Sequence, residues 1–163
     1  MLRIGHGYDL HQVTKRRCLY LGGMIVPWDS GLLGHSDADV LLHAIMDAIL
    51  GALALGDIGH WFPETDPTYR GISSKQLLSR IMSSDAISGW HVVNLDTTVL
   101  AEEPKLAPHI WSMRQSIAAL LGVDKDQVSV KATTAEGTGP IGRGEAIAAH
   151  AVVLMGKGTG WSG

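Results

Sequence analysis

The stretch from His35 to Asp57, HSDADVLLHAIMDAILGALALGD, sets the tightest limits on how this chain can fold. Its apolar residues recur at helical spacing on two adjacent stripes, Leu41, Ile45, Ala48, Ala52 and Leu55 on one and Leu42, Met46, Ile49 and Leu53 on the other. A helix apolar around that much of its circumference belongs inside the protein. Ser36 is the expected N-cap, Asp37 and Asp39 place negative charge in the first turn, and Gly56 is the expected stop. What remains is a narrow polar stripe of Asp39, His43 and Asp47 at i, i+4 and i+8, stacked along one line of the helix. A histidine held between two carboxylates on a buried helix is a candidate metal ligand. A polar edge facing solvent is the plainer reading, and this helix alone favours it. Three aspartates argue against a membrane span, which needs about 20 predominantly apolar residues.

A chain of 163 residues suits one domain, 1–163, with a sizeable core. A formal net charge of −3 gives no basic footprint, which argues against an extended nucleic-acid or anionic-membrane surface and leaves room for a local phosphate pocket. The single cysteine, Cys18, excludes an internal disulfide framework and makes a reducing compartment the default. The start, MLRIGHGYDLH, has no apolar signal region, so a cytoplasmic location is expected; a mature plastid-type protein that has lost its transit peptide has the same look. Eight histidines against one phenylalanine point to site chemistry.

Along the chain, residues 2 to 9 read as a strand in which Gly5 and Gly7 let something approach the backbone. Asp9 and His11, two residues apart, share one face if the chain stays extended. Cys18 to Leu21 and Met24 to Val26, joined by Gly22 and Gly23, predict a hairpin, and Asp29 to Gly34 a loop. Asp57 to Gly71 reads as an irregular connection or binding loop. Ser73 or Ser74 then caps a helix reaching about Asp85. Val92 to Leu100 alternates through Val93, Leu95, Thr97 and Val99 as a strand, and a helix starts near Pro108 and stops at Gly122. A strand at 128–134, a glycine-rich loop and a last strand from Ile147 to Met155 follow, with a frayed tail GKGTGWSG. This order predicts an α+β sandwich of ferredoxin-like type: a mixed four-stranded sheet, an additional short hairpin, and helices packed on one face. No Walker A motif and no GxGxxG after a strand is present.

Asp9, His11 and His43 make a two-histidine, one-carboxylate set. Three protein ligands leave a fourth position open on zinc, and the same set also suits non-haem iron. His35 and Ser36 sit at the expected amino end of the long helix, where free N–H groups favour phosphate.

Three stretches closely resemble one family: GHGYDLH at 5–11, LLGHSDADVLLHAIMDAILGALALGDIGHWFPETD at 32–66 and VKATTAEGTGPIGRGEAI at 130–147. The family is 2-C-methyl-D-erythritol 2,4-cyclodiphosphate synthase, of the non-mevalonate isoprenoid pathway. The resemblance implies a homotrimer with active sites between adjacent subunits. It implies conversion of 4-diphosphocytidyl-2-C-methyl-D-erythritol 2-phosphate into the cyclic diphosphate and CMP. By motif, Asp9, His11 and His43 match ligands of zinc or another divalent transition metal, and Glu136 matches a ligand of a second ion, magnesium or manganese. His35 and Thr134 match the positions that stabilise the transition state. Asp9, His11, His35 and Ser36 would meet substrate at the metal. Asp57, Ile58 and Gly59 match the methylerythritol contact, and Phe62, Pro63, Glu64, Thr65 and Asp66 the mobile substrate loop. From the neighbouring subunit, Ala101, Lys105, Leu106, Ala107 and Thr133 match the cytidine pocket, followed by Thr134, Ala135 and Glu136. Arg143 matches a substrate-binding arginine near the trimer axis. Three residues depart from the family pattern: Tyr8 for the usual Phe, Ala135 for a hydroxyl residue, and Pro140 for a common aromatic.

The residues suit that reaction, because the nucleophile would be the substrate's own phosphate and the protein needs to supply only positioning and charge neutralisation. Two rival readings use the same ligands: a zinc-dependent phosphoesterase that hydrolyses a nucleotide diphosphate, and a trimeric binding or scaffold protein with a structural metal. His6, His60, His91, His109 and His150 show no partner pattern, and Trp28, Trp61, Trp90, Trp111 and Trp161 read as packing or surface residues.

Overall fold

Strand β1 (Leu2–Lys15) passes helix α1 (Val40–Ala52) more closely than any side chain would allow. A Cβ built on Gly5 would lie 1.9 Å from the Ala48 carbonyl oxygen, and one on Gly7 would lie 1.9 Å from that of Ala44. The backbone approach predicted at these glycines is therefore to α1. Alternation along β1 then turns Asp9 and His11 to the helix side and Ile4, His6, Tyr8 and Leu10 to the opposite face, where they are exposed.

The computed structural model describes residues 1–158; Trp161 and the end of the predicted tail lie outside them. Among the described residues, β1 pairs antiparallel along its length with the last strand, β7 (Ala146–Lys157), from Leu2 opposite Gly156 to Gln12 opposite Ala146. On the other side of β7 lies β5 (Trp90–Leu100), antiparallel to it and parallel to β6 (Val128–Thr133). A parallel pair needs a crossover, which α4 (Ile110–Leu121) supplies, ending at Gly122 with φ 67°. α3 (Ser74–Met82) packs beside α1. The hairpin β2 (Leu19–Leu21) and β3 (Met24–Val26) turns through Gly22 and Gly23, both at positive φ, as its two-residue turn requires. Short helical turns α2 (Ile58–Trp61) and α5 (Gly139–Gly142) interrupt the two loops.

Several expectations need correction. The sheet has five strands in the order β4-β1-β7-β5-β6, because Ser30–Leu32, predicted as loop, forms β4 against Val13 to Lys15. The long helix begins three residues later than predicted, with Asp39 rather than Ser36 as its N-cap. Ala38 has φ 57°, which breaks the helical path before Asp39, while Ser36 and Asp37 side chains close local turns on the Ala38 and Asp39 N–H groups. Its last helical residue is Ala52, followed by Leu53 and by Ala54 at φ 58°. α3 ends at Met82, ahead of the predicted Asp85. A bulge between Val92 and Asn94 makes Val92, not Val93, the inward residue of β5. Gly156 and Lys157, assigned to the tail, belong to β7.

The close approach at Gly5 and Gly7 generates a paired expectation. Gly7→Ala drives a Cβ into helix backbone and should cost on the order of 3 kcal/mol or more. Gly51→Ala, on the exposed face of α1 with its nearest neighbour atom 3.9 Å away, should be neutral or stabilise by up to about 1 kcal/mol. Urea unfolding midpoints of the two variants check the contrast.

Candidate active site and metal centre

Where β1 crosses the first turns of α1, the Asp9 carboxylate meets two imidazoles. Asp9 Oδ2 lies 3.0 Å from His43 Nδ1 and 3.1 Å from His11 Nδ1. Asp9 and His11 come from alternate positions of β1 and His43 from the buried face of α1, only 7% exposed. The solvent-edge reading of the polar stripe is thus overturned, and so is the picture of His43 between two helix carboxylates. Asp39 turns away to accept N–H bonds from Leu42, Gly22 and Gly23, fastening the hairpin to the helix start. Asp47 accepts from the Ile58 N–H and holds α2. The partners of His43 are Asp9, Ser36 and Ser74.

The electrostatics bind this cluster into a unit. Burial opposes charge on Asp9, but the two histidines prevail and hold its carboxyl well below the usual carboxylate range. Burial likewise opposes charge on His11, and Asp9 overrides it, raising the imidazole's pKa. Burial pushes the carboxyls of Asp39 and Asp47 upward.

The donor set fits a divalent transition metal. One ligand atom from each of Asp9, His11 and His43 lies within 4.8 Å of the others, and this is the group of three so placed among the described residues. His11 Nδ1 is buried and makes no aligned hydrogen bond, though Asp9 is near. A buried nitrogen without a hydrogen-bonding partner, facing a carboxylate and a second imidazole, is what a cation site leaves when its donors converge.

Around the cluster opens a cavity of about 530 Å³. Asp9, His11, His35, Ser36, His43, Ile58, Gly59, Phe62, Glu64, Thr65 and Asp66 all line it, whereas Asp57 and Pro63 do not. Asp57 instead caps α2 by accepting from the His60 N–H. Sequence reasoning missed Tyr69, Arg70, Ile72 and Leu77 in the same wall. It also missed Arg17, whose guanidinium donates to the Gly34 and Ser36 carbonyls at 3.0 Å each and so holds the segment bearing His35. His35 is exposed and lies 3.5 Å from Glu64 of the predicted substrate loop. His35 and Ser36 do not sit at the amino end of α1, which starts later, at Val40, where Asp39 accepts the Leu42 N–H.

A second cavity of about 240 Å³ lies at the β6 edge, lined by Ala101, Lys105, Leu106, Ala107, Thr133 and Thr134 together with Glu102, Pro104, Ile110 and neighbouring β6 residues. Ala135 and Glu136 follow it on a loop that Glu102 holds by accepting the Ala135 N–H at 2.8 Å. Glu136 has φ 52° and its carboxylate lies 3.5 Å from the Thr134 hydroxyl. Arg143 is exposed and paired with Glu145 at 2.8 Å. Most of the residues expected in one active site therefore divide within one chain between two cavities, no residue lines both, and Asp57, Pro63, Ala135, Glu136 and Arg143 line neither.

The YgbB family model matches residues 2–156. The chain belongs to the YgbB family. Among relatives of this YgbB chain, the 2-C-methyl-D-erythritol 2,4-cyclodiphosphate synthase of Geobacter sulfurreducens is 60% identical over 154 residues, covering 94% of this chain and 98% of that protein. Among solved structures, a 2C-methyl-D-erythritol-2,4-cyclodiphosphate synthase in a CDP-bound form has a TM-score of 0.86 and 36% identity, covering 94% of this chain and all of the other. The bifunctional IspDF of Campylobacter jejuni has a TM-score of 0.92 and 38% identity over 97% of this chain, which spans 43% of that longer protein. The family read from the three motifs is therefore established for this chain. No helix among its described residues is long and apolar enough to cross a membrane.

The Asp9 ion pairs carry a pH signature in metal-free protein. Asp9's folded pKa is depressed, so its contribution is complete above the unfolded value of 3.8 and is lost as pH falls through the folded value. His11's is raised, so its contribution is complete below 6.5 and is lost as pH rises through the folded value. The stability difference between wild type and Asp9→Asn in chelator should be widest between about pH 4 and 6.5 and narrow on both sides. Urea midpoints across the range check this; a difference that does not vary with pH contradicts it.

Proposed function

We infer that this chain converts 4-diphosphocytidyl-2-C-methyl-D-erythritol 2-phosphate into 2-C-methyl-D-erythritol 2,4-cyclodiphosphate and CMP, in isoprenoid precursor biosynthesis. Beside the family itself, the observation that carries the reading is the convergence of Asp9, His11 and His43 at the floor of an open cavity. Asp9, His11 and His43 would hold zinc or another divalent transition metal, and Glu136 a magnesium or manganese ion, which together would supply polarisation and charge neutralisation to the diphosphate.

The remaining work falls to the chain's own side chains. A phosphate monoester with a second pKa of about 6 is largely dianionic at neutral pH, so the 2-phosphate attacks without a protein base. Its oxygen forms the bond to the β-phosphorus, the bond from that phosphorus to the bridging oxygen breaks, and CMP departs with the electron pair. His35 and Thr134 are the groups assigned to stabilise this transition state, His35 from the segment that Arg17 holds. Asp57, Ile58 and Gly59 orient the methylerythritol, Ser36 supports the metal end, and Phe62 to Asp66, with Pro63 at the bend, close over the substrate. Ala101, Lys105, Leu106, Ala107, Thr133 and Ala135 receive the cytidine and its phosphate, and Arg143 adds positive charge.

The assembly is a homotrimer of ferredoxin-like single-domain subunits spanning 1–163, active in the cytoplasm. Two observations support it. The metal cluster and the β6-edge cavity are separate within one chain, so a complete site needs a neighbour's edge. The outer sheet face also leaves Leu2, Ile4, Tyr8, Leu10 and Val152 uncovered, 39% to 71% exposed, a patch that suits association of copies.

Phosphorus NMR of the purified protein with the cytidyl substrate tests the reading. CMP and a cyclic diphosphate should appear together with zinc and magnesium present and stop with chelator. Asp9→Ala and His43→Ala should slow turnover on the order of 10³-fold. CMP with an open, hydrolysed product would instead establish the phosphoesterase, and intact substrate throughout would establish the binding protein.

A further inference from the structure

His43 reaches the cluster with one ring nitrogen and a buried serine with the other. Nδ1 faces Asp9 Oδ2 at 3.0 Å, while Nε2 lies 3.0 Å from the Ser74 hydroxyl oxygen. Ser74 is fully buried in the first turn of α3, and both its polar groups turn to Asp37. Its N–H donates to Asp37 Oδ2 at 2.9 Å, and its hydroxyl donates to Asp37 Oδ1.

The proton count in this chain fixes Nε2. A carboxylate only accepts, and a hydroxyl has a single proton to donate. Ser74 spends that proton on Asp37, so its oxygen can only accept from His43. The proton between them is therefore on His43 Nε2, with the Ser36 hydroxyl oxygen as a secondary acceptor at 3.3 Å. Nδ1 is left facing the Asp9 carboxylate oxygen, where a proton or a metal ion between them completes the contact.

We propose that Asp37 and Ser74 are positioning residues of the metal centre, locking His43 as the Nε2–H tautomer and so presenting Nδ1 as the ligating nitrogen. The proposal rests on the metal reading of Asp9, His11 and His43 given above and assigns two residues to it from outside the ligand set. It also explains why a helix start and a turn segment 37 residues apart in sequence share one half-buried carboxylate: Asp37 satisfies the α3 start and orients the ligand together.

Asp37→Asn is the sharpest variant, since it reverses the direction of the relay. The Asn oxygen keeps the Ser74 N–H, and the amide nitrogen then donates to the Ser74 oxygen. Ser74 in turn donates to His43 Nε2, which forces the proton onto Nδ1, where the metal must bind. Long-range proton–nitrogen correlation spectra of 15N-histidine-labelled protein read the tautomer directly, in chelator and on titration with zinc. Wild type should show His43 protonated at Nε2, with Nδ1 shifting on zinc addition. Asp37→Asn should show the opposite tautomer, and both it and Ser74→Ala should bind zinc about 10- to 100-fold more weakly in competition with a chromophoric chelator. Ser74→Thr, which keeps the hydroxyl, should restore affinity, a rescue that loss of fold alone would not give; circular dichroism identifies any variant that fails to fold. His43 without a proton on Nε2 in the metal-free wild type, or folded Asp37→Asn and Ser74→Ala binding zinc as wild type does, overturns the proposal. Failure of wild type itself to bind zinc at these histidines overturns the metal reading instead.

Discussion

The backbone-to-backbone approach of β1 and α1 is the constraint on which the rest depends. Two glycines with no Cβ allow a strand to lie against the carbonyl groups of Ala44 and Ala48. Strand alternation then carries the same face onward from Gly5 and Gly7 to Asp9 and His11. Helix periodicity places His43 one residue before Ala44, at the level where that face arrives. No loop is needed to bring the three ligands together, and a site on packed regular elements is held more rigidly than one on loops. The loop at 62–66 and the glycine-rich segment after β6 lie outside this frame.

A second layer of order comes from polar side chains that terminate backbone. Asp39, Asp47 and Asp37 each sit near the site, and each accepts N–H groups from an element other than its own: the β2–β3 turn, α2, and the start of α3 respectively. Buried or half-buried carboxylates of this kind join separate segments because each unsatisfied N–H would be costly. The hairpin, the loop helix and α3 are thereby referenced to the α1 region, and the cavity inherits its shape from those fixtures. Arg17 does the same with positive charge for the His35 segment.

Much of this was legible in the chain. Spacing marked the D-x-H pair, the buried helix carrying His43, the GG hairpin and the Gly122 stop, all features set within a few residues. The motif resemblance identified the family; Glu136, Lys105 and Arg143 are candidates on that resemblance alone, since local pattern does not pick them out. What escaped were features decided by distant partners. Spacing favours Ser36 as the N-cap and Asp39 as first-turn charge, and only the positive φ at Ala38 and the hairpin N–H groups move the cap to Asp39. β4 is three residues long and gains its identity from pairing with β1. Asp37 looked like dipole-complementing charge on α1, whereas its partner is the start of α3. The doublet Ser73 and Ser74 held the one available clue: one serine caps α3 by accepting the Lys75 N–H, and the other was left for another task.

Strand and helix packing alone brings Asp9, His11 and His43 together as a candidate metal centre. Crystals of the protein grown with zinc, with anomalous data collected on both sides of the zinc absorption edge, address it most directly. The account predicts a zinc peak between Asp9 Oδ2 and the two imidazoles, with His43 Nδ1 within about 2.1 Å of the ion. A zinc peak at other residues, or none at these three in zinc-saturated crystals, would contradict it.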